Sequence, residues 1–584
     1  MTTDAFDALS QGAQRPVAIV GGGPVGLMLA LFLDRHGVAS VVFNLEKDSR
    51  WHPKGSTHNT RTMEHYRRLG VSEAVRGLGL PADHPRDIAY FTRLAGWELA
   101  RLGMGTERER SRAAHEGGEL DQQPEPLLRA NQMYVERFLL AHAGTRPNIT
   151  LCYGWRVSGF EQDATGVTLS AQPADGGAVE RWRAAYLVGC DGGASFVRRT
   201  LGIAYAGPGG AHDGFLGGHM FSSYVRIPAL HGELLGDRKA WMYNVMAPGA
   251  RMLLVSLDGG DEFLLMSKPE VGEAEPDDAT VIRRIQEGVG CAVDVEVLAH
   301  APWQGGVALV AERFSAGRVY LAGDAIHLFS PTGGLGMNTG IDGAANLAWK
   351  LAAAVQGWAG DSLLASYEAE RRPIAHRNTA AARFLTQRVG ELRVPAHVEA
   401  DDAAGAAARR ELGEQLAGFR RQFEAPGVEL GARYDGSPIV WPDGAPPDDD
   451  LLAYRPSSVP GGRLPHMWVT GADGVRRSMF DLLGTGFTLL RVRACGATAG
   501  VNDDCAARLA DAARARGIPL SIVDVESNAA RALYARRLVL VRPDQHVAGR
   551  GAAPRGRGAR SCGGPDLTAA RAGWMGFLVT GGTR

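Results

Sequence analysis

Three separated stretches of this chain combine glycines with an acid in arrangements suited to a phosphate-bearing ligand. The first is Gly21-Gly22-Gly23-Pro24-Val25-Gly26, with Glu46 twenty residues past the last glycine. Glycines at 21, 23 and 26 fit the G-x-G-x-x-G spacing, and each position has a reason. Gly21 permits a tight turn, Gly23 lets a pyrophosphate reach the backbone, and Gly26 lets a helix pack closely on a strand. Glu46 is placed to accept hydrogen bonds from ribose hydroxyls. The second stretch is Asp191-Gly192-Gly193-Ala194-Ser195. The third is Gly323-Asp324 followed by Pro331-Thr332-Gly333-Gly334-Leu335-Gly336-Met337-Asn338. Taken singly, Asp191-Gly192 reads as a turn and Gly323-Asp324 as a helix cap. Taken together, they predict one long ligand lying across several strand ends, where open α/β sheets bind cofactors.

The flanking patterns supply the elements that would position these residues. An apolar β-rich run at 17–20 precedes the first glycine turn, an apolar helix follows to Leu33, and a second β-rich run covers 38–45. The helix N-terminus offers unpaired N–H groups and a positive dipole end to phosphates. A strand at 185–190 leads into Asp191, and a buried strand at 318–322 leads into Gly323-Asp324. A long helix is predicted over 341–357 and another over 362–385. Between the second and third stretches the pattern changes to β alternation, with strands predicted at 219–227, 239–246, 252–257 and 262–266. This reads as an antiparallel sheet inserted at about 80–126 and 205–310. The charged segment 106–119 reads as a solvated loop. Residues 1–14 read as a loose tail and 391–450 as a helical connector. A small α/β unit occupies 451–584, with strands at 487–492, 520–525 and 538–541, a helix at 503–516 and a flexible Gly/Arg-rich stretch at 549–564.

Composition narrows the function. The chain has 584 residues and a formal net charge of -1, so nothing calls for nucleic acid or an anionic membrane. An arginine–glycine RNA-binding tail at 549–564 would need stacking aromatics, and that stretch has none. The six cysteines are scattered without C-x-x-C pairs or ligand-like spacing, which argues for a reducing cytoplasm and against a metal. The apolar run 16–33 is broken by four glycines and a proline, so the strand-turn-helix reading is preferred to a spanning helix.

With these motifs in place, the chain resembles the FAD-dependent aromatic hydroxylases, single-component flavoprotein monooxygenases of the p-hydroxybenzoate hydroxylase and phenol hydroxylase type. The resemblance covers most of residues 15–390. It rests on the N-terminal fingerprint, the Asp-Gly turn with Ser195 and Arg198, the run from Gly323-Asp324 to Lys350, and Ser366 to Pro373. The C-terminal unit is similar to the thioredoxin-like domain of larger members, without its redox cysteine pair. The resemblance implies an α/β, Rossmann-like FAD-binding domain with an inserted antiparallel-sheet substrate domain and a C-terminal thioredoxin-like domain. It implies that Gly21, Gly23, Pro24, Val25, Gly26, Glu46 and Lys47 hold the ADP half of FAD, with Gln132 on the flavin side and Asp324 on the ribityl chain. Gly336, Met337 and Asn338 would present N–H groups to the flavin, where reduced flavin carries negative charge. Asp191 matches an acid implicated in FAD and NAD(P)H use, and Pro331 a proline running along the flavin. Lys54 stands where many members have arginine.

The implied chemistry is reduction of FAD by NAD(P)H, addition of O2 to give a C4a-hydroperoxide, and oxygen transfer to an electron-rich ring such as a substituted phenol. On the inserted sheet, alternation places Met220, Ser222, Tyr224 and Arg226 on one face, and Trp241 and Tyr243 together on another. Tyr224, Arg226, Trp241 and Tyr243 are the candidates for ring contact, ordinary sheet packing being the alternative. His327 reads as a prop for the flavin loop, while His52 and His58 are ambiguous. The same scaffold supports polyketide hydroxylation and Baeyer–Villiger insertion. An oxygen-independent flavin dehydrogenase, or a flavin-binding protein acting through its C-terminal unit, are readings of other classes. The expected partner is a small aromatic substrate, with a homodimer compatible, no nucleic acid and no membrane.

Overall fold

The computed structural model describes residues 15–118, 121–208, 218–268, 275–305, 307–330, 333–390, 392–471, 473–496 and 502–551. The expected N-terminal tail, Pro331 and residues 552–564 lie outside them. No described helix is long and apolar enough to cross a membrane.

The half that carries the three glycine stretches, the expected nucleotide half, is built on an eight-stranded sheet. Its spine runs Ser315–Ala316, Val319–Leu321, Glu180–Gly189, Arg15–Val20, Ser40–Asn44 and Ile149–Tyr153, with a hairpin of Trp155–Gln162 and Val167–Pro173 at the side. The four pairings among Val319–Leu321, Glu180–Gly189, Arg15–Val20, Ser40–Asn44 and Ile149–Tyr153 are parallel. Parallel strands buried on both faces account for the unbroken apolar runs in the sequence. Helices Pro24–Arg35 and Leu335–Val355 pack together against this sheet and are almost wholly buried. Residues 185–190, expected as a separate strand after 181–184, continue it as one ten-residue strand.

The inserted sheet has seven strands: Glu296–Gly305, Gly218–Arg226, Glu262–Ser267, Ala250–Ser256, Met242–Ala247, Ile88–Phe91 and Glu98–Leu102, in that order. Its outer face packs on helix Asp278–Val289 through Tyr243, Val245, Leu254, Phe263 and Leu265. Its inner face carries Tyr90, Tyr224, Trp241, Met246, Leu253, Val255 and Leu264 toward Met133 of the nucleotide half. The connector closes over the same face with Val398, with Leu412 and Leu416 of helix Ala403–Ala417, and with Phe419. The helix approaches closely at Gly413, where a Cβ would lie 2.3 Å from the Leu99 carbonyl oxygen.

The charged segment expected as a loop is a helix, Glu107–Glu116. Thr106 and Glu109 form a capping box at its start, and Glu107 pairs with Arg76 and Arg86. A reciprocal cap and ion pairs to neighbouring elements outweigh the unfavourable run of charge.

The C-terminal unit has a four-stranded mixed sheet, Leu520–Glu526, Phe487–Arg493, Leu538–Val541 and Val547–Gly551, with helices Asn502–Arg514 and Asn528–Tyr534. Residues 549–551, expected to be flexible, complete its edge strand. It docks on the nucleotide half through buried charge. Glu370 accepts from Lys350 Nζ (2.6 Å), Arg542 Nη1 and Nη2 (2.6 and 2.9 Å), Asn346 Nδ2 (2.8 Å) and Ser437 Oγ (2.6 Å). Burial alone would raise the Glu370 pKa, but Arg542 and Lys350 hold it down to about 2. On the Leu335–Val355 helix, Asp342 accepts from Arg61 Nε (3.2 Å), His65 Nε2 (2.9 Å) and Arg371 Nη1 (2.5 Å). Arg61 also donates to Asp544 O and Gln545 Oε1, so one guanidinium joins that helix to the C-terminal unit.

Candidate active site

The fingerprint glycines behave as their spacing requires. Gly21 has φ 107°, and a Cβ there would lie 2.3 Å from the Cys190 carbonyl oxygen; a Cβ at Gly26 would lie 2.0 Å from Gly21 O. Gly23 is different. A Cβ there meets nothing within 4 Å, so the backbone faces open space. It is also the N-cap of helix Pro24–Arg35 with no side chain capping it, which leaves the first-turn N–H groups for a ligand. Val25 wedges under Gly323 and Gly340, where added Cβ atoms would lie 3.1 and 2.7 Å from its methyl groups. The fingerprint therefore touches the third glycine stretch directly.

Glu46 lies two residues past strand Ser40–Asn44. Its exposed carboxylate pairs with Arg50 (3.2 Å). Lys47 is turned aside to Asp175 (3.1 Å) and does not join the cluster. Asp191 is engaged as a cap: one oxygen accepts from Ser195 Oγ and the other from Val197 N (3.0 Å).

Asp324 is exposed to solvent, yet the protein around its carboxyl raises its pKa by burial, opposed by Lys54 and Arg50. The pKa of Lys54 is correspondingly lowered by burial and by Arg50, against the pull of Asp324. A carboxylate with two cations in its neighbourhood suits a polar ligand that can hydrogen-bond to it. Helix Leu335–Val355 starts at Gly334 (φ 63°) without a side-chain cap, and its first turn carries Gly336, Met337 and Asn338. Asn338 itself is spent locally, accepting from Asn59 N (3.0 Å) and donating to Thr57 O (2.9 Å) and Gly334 O (2.6 Å). It locks the loop that the helix caps onto residues 57–59. Gln132 opens helix Gln132–Gly144 and donates to Glu136 Oε2 (3.3 Å). Uncapped helix ends at Gly23 and Gly334, the open face of Gly23 and the exposed Asp324 suit a long anionic dinucleotide ending in a ring system.

The inserted sheet sorts the candidates for ring contact. Trp241 lies in the inner cluster, with the Arg129 guanidinium stacked 3.7 Å from its ring. Tyr243 faces the other way, bonded to His231 Nε2 (2.9 Å) and Ala240 N (2.7 Å). The two do not share a face because the strand starts at Met242. Trp241 precedes it at a bend, where both Trp241 N and Met242 N donate to Asp87 O. Tyr224 faces inward, its hydroxyl donating to Glu262 Oε2 (2.6 Å) beside that of Tyr134 (2.7 Å). Arg226 sits at the end of its strand among Glu296, Glu262 and Asp261 (2.6, 3.4 and 3.7 Å), sharing Glu262 with Tyr224.

Register defines that row. Tyr90, Asn244, Leu253, Met266, Ser222 and Ala301 are successive partners across the inner face. Asn244 Nδ2 is buried without a partner at one end. At the other end His52, from the Lys54 loop, bonds Ser222 Oγ through Nε2 (2.8 Å), while its Nδ1 is buried without a partner. Trp51 reaches the same face, its ring 6.3 Å from that of Tyr224. Asn244 was visible only as a lone polar residue in phase with Met242 and Met246. Arg129 gave no local signal.

Comparison with known proteins gives this architecture its family. An FAD binding domain model matches residues 14–382, and an aromatic-ring hydroxylase C-terminal model matches 457–577. A Streptomyces halstedii protein assigned as a polyketide hydroxylase is 34% identical over 92% of this chain and 94% of its own. The rebeccamycin biosynthetic enzyme RebC with reduced flavin superposes with TM-score 0.80 at 36% identity, over 92% of this chain and 96% of that one. The flavin-dependent monooxygenase PieE, solved with FAD and substrate, gives 0.82 at 28% identity over 97% and 99%. The chain belongs to the FAD-dependent aromatic-ring hydroxylases. It is a flavoprotein monooxygenase of the aromatic and polyketide hydroxylase type, with FAD as cofactor and O2 and a reduced nicotinamide as co-substrates.

Proposed function

We propose that this enzyme hydroxylates a phenolic ring within a fused or linked multi-ring aromatic, drawing electrons from NAD(P)H. The observation that carries this reading is the inner-face row. Its two polar ends, Asn244 and the His52–Ser222 pair, stand three strand spacings apart. That is about 14 Å between backbones, far wider than one benzene ring. Between them lie Leu253 and Met266, an apolar floor for flat rings. A substrate touching both ends satisfies two buried polar atoms at once, which a single-ring phenol cannot. The likeness to a protein assigned as a polyketide hydroxylase supports the same choice.

FAD, when bound, takes the electrons of the nicotinamide and delivers one atom of O2 to the ring. The chain's own residues hold and shield. Gly21, Gly23 and Gly26 with Glu46 grip the ADP half, and Asp324 the ribityl chain. The first turn of helix Leu335–Val355 offers N–H groups where the reduced ring carries charge. Val398, Leu412, Leu416 and Phe419 cover the inner face against water. We read residues 451–584 as a thioredoxin-like unit whose work is to brace that helix.

The test is a panel of single-ring and fused-ring phenols with purified FAD-loaded enzyme, reading O2 uptake, NAD(P)H oxidation and product mass. Fused phenols are expected to give coupled turnover and single rings little. Preference for single rings would overturn the substrate assignment. NAD(P)H oxidation indifferent to O2 would overturn the monooxygenase chemistry.

A further inference from the structure

We infer that His52 is the catalytic residue that takes the proton from the substrate's phenolic hydroxyl, its Nδ1 acting as acceptor while Ser222 fixes the ring. This rests on the multi-ring phenol reading above and adds to it the atom that ionises the substrate.

Ser222 Oγ donates its only hydrogen to Ala301 O (3.2 Å). It therefore accepts at its contact with His52 Nε2 (2.8 Å), and the hydrogen in that bond belongs to the imidazole. A neutral ring with its hydrogen on Nε2 has a lone pair on Nδ1. That lone pair is buried and has no partner in the protein. An unpaired buried acceptor calls for a donor from outside the chain, and a hydroxyl of a ring lying on Met266 and Ser222 supplies one.

Before substrate arrives, burial lowers the His52 pKa, and Lys54 on the same loop and His300 on the edge strand lower it further, so the ring rests neutral. The phenolate formed beside it offsets that penalty by pairing with the imidazolium. His300 is itself held by Ser223 Oγ (3.1 Å) and Asp278 (2.8 Å). The loop that carries His52 also carries Lys54, whose charge is felt by Asp324, so one short loop joins the acceptor to the residues proposed for the cofactor. The step is proton transfer alone. The phenolic O–H bond breaks, an Nδ1–H bond forms, and the electron pair stays on oxygen, where it enriches the ring carbon that is to receive oxygen. Nothing is oxidised or reduced until the cofactor acts.

The experiment uses the FAD-loaded enzyme and 2-hydroxyanthraquinone, whose phenolate absorbs to the red of its phenol and of flavin. At a pH where the free probe is mostly neutral, wild type is expected to bind it as phenolate. In His52→Gln the ratio of ionised to neutral bound probe is expected to fall at least tenfold with FAD content unchanged, and kcat on a fused phenol to fall ten- to a hundredfold. Ser222→Ala, which frees the ring without removing it, is expected to lower the ratio by a smaller factor; it serves alone if His52→Gln does not retain flavin. An unchanged ratio in either variant used would overturn the role of His52. If wild type hydroxylates fused phenols yet binds the probe only as neutral phenol, the inference fails and the proposed function stands. If wild type neither binds the probe nor turns over any phenol, that function itself fails.

Discussion

Replacing Glu370 by alanine tests the buried charge that couples the C-terminal unit to helix Leu335–Val355. Glu370 and Lys350 are both fully buried, and Lys350 pairs with no other carboxylate among the described residues. Arg542 and Asn346 keep Asp544 as an acceptor after the change, so Lys350 carries most of the loss. Breaking a buried pair from one side costs about 3–5 kcal/mol, and the surviving partner for Arg542 places this case near the lower bound. The loss also has a predicted pH dependence. Burial lowers the Lys350 pKa to about 8 while Glu370 holds it up. Without Glu370 it falls further, so at neutral pH folded Lys350 is uncharged while unfolded Lys350 is protonated. Lys350 in wild type adds no pH dependence below about 8, because both states are charged there. In the variant, stability then drops by about 1.4 kcal/mol for each pH unit below that value, until the new pKa is reached. Urea midpoints at several pH values on both sides of it measure the difference. A loss below about 1 kcal/mol, or one that does not grow as pH falls, would refute the assignment.

Other expected outcomes are as direct. Asp324→Ala is expected to purify largely free of flavin, with affinity at least about tenfold weaker for loss of a charged hydrogen bond; a fully yellow protein would show the carboxylate is not needed. Gly23→Ala is expected to melt like wild type yet bind FAD poorly, whereas Gly26→Ala, with a Cβ 2.0 Å from Gly21 O, is expected to lose stability; calorimetry and flavin absorbance separate the two. Glu370, with a folded pKa of about 2 against 4.5, stabilises the fold above pH 4.5, and that contribution, about 3 kcal/mol, is lost as pH falls toward 2, so unfolding should steepen in that window. Arg226→Ala is expected to leave kcat and KM within about twofold, since its partners are the acids at the strand end.

The legible parts of this chain were the local ones. A glycine turn, an acid at fixed distance and a strand ending on Gly-Asp are set by neighbours in sequence, so the turns at Gly21, Gly23, Gly26 and Gly323-Asp324 were legible, and the structure brings Val25 against Gly323. Period-two alternation placed Ser222 and Tyr224 on one face because they lie within a single regular strand. It failed at Trp241 and Tyr243, where the strand begins between them. Asp191 has the same sequence signature as a cofactor ligand and as a turn, and the bonds from Ser195 and Val197 that make it a cap are visible only in the fold. The Thr106–Glu109 box was written in the sequence but hidden by the charge around it. The docking network joins Arg61, Asp342, Glu370 and Arg542 across hundreds of residues, and no spacing encodes such a meeting. His52 belongs to the same kind: its partner Ser222 is 170 residues away.

The central claim is that this flavoprotein puts one atom of O2 into an aromatic ring. Turnover of a fused-ring phenol under isotopically heavy O2, with NAD(P)H and product counted together, tests it most directly. One heavy oxygen is expected in each product molecule, with one NAD(P)H consumed for it. Product whose new oxygen comes from water, or NAD(P)H oxidised at the same rate without the phenol, would contradict it.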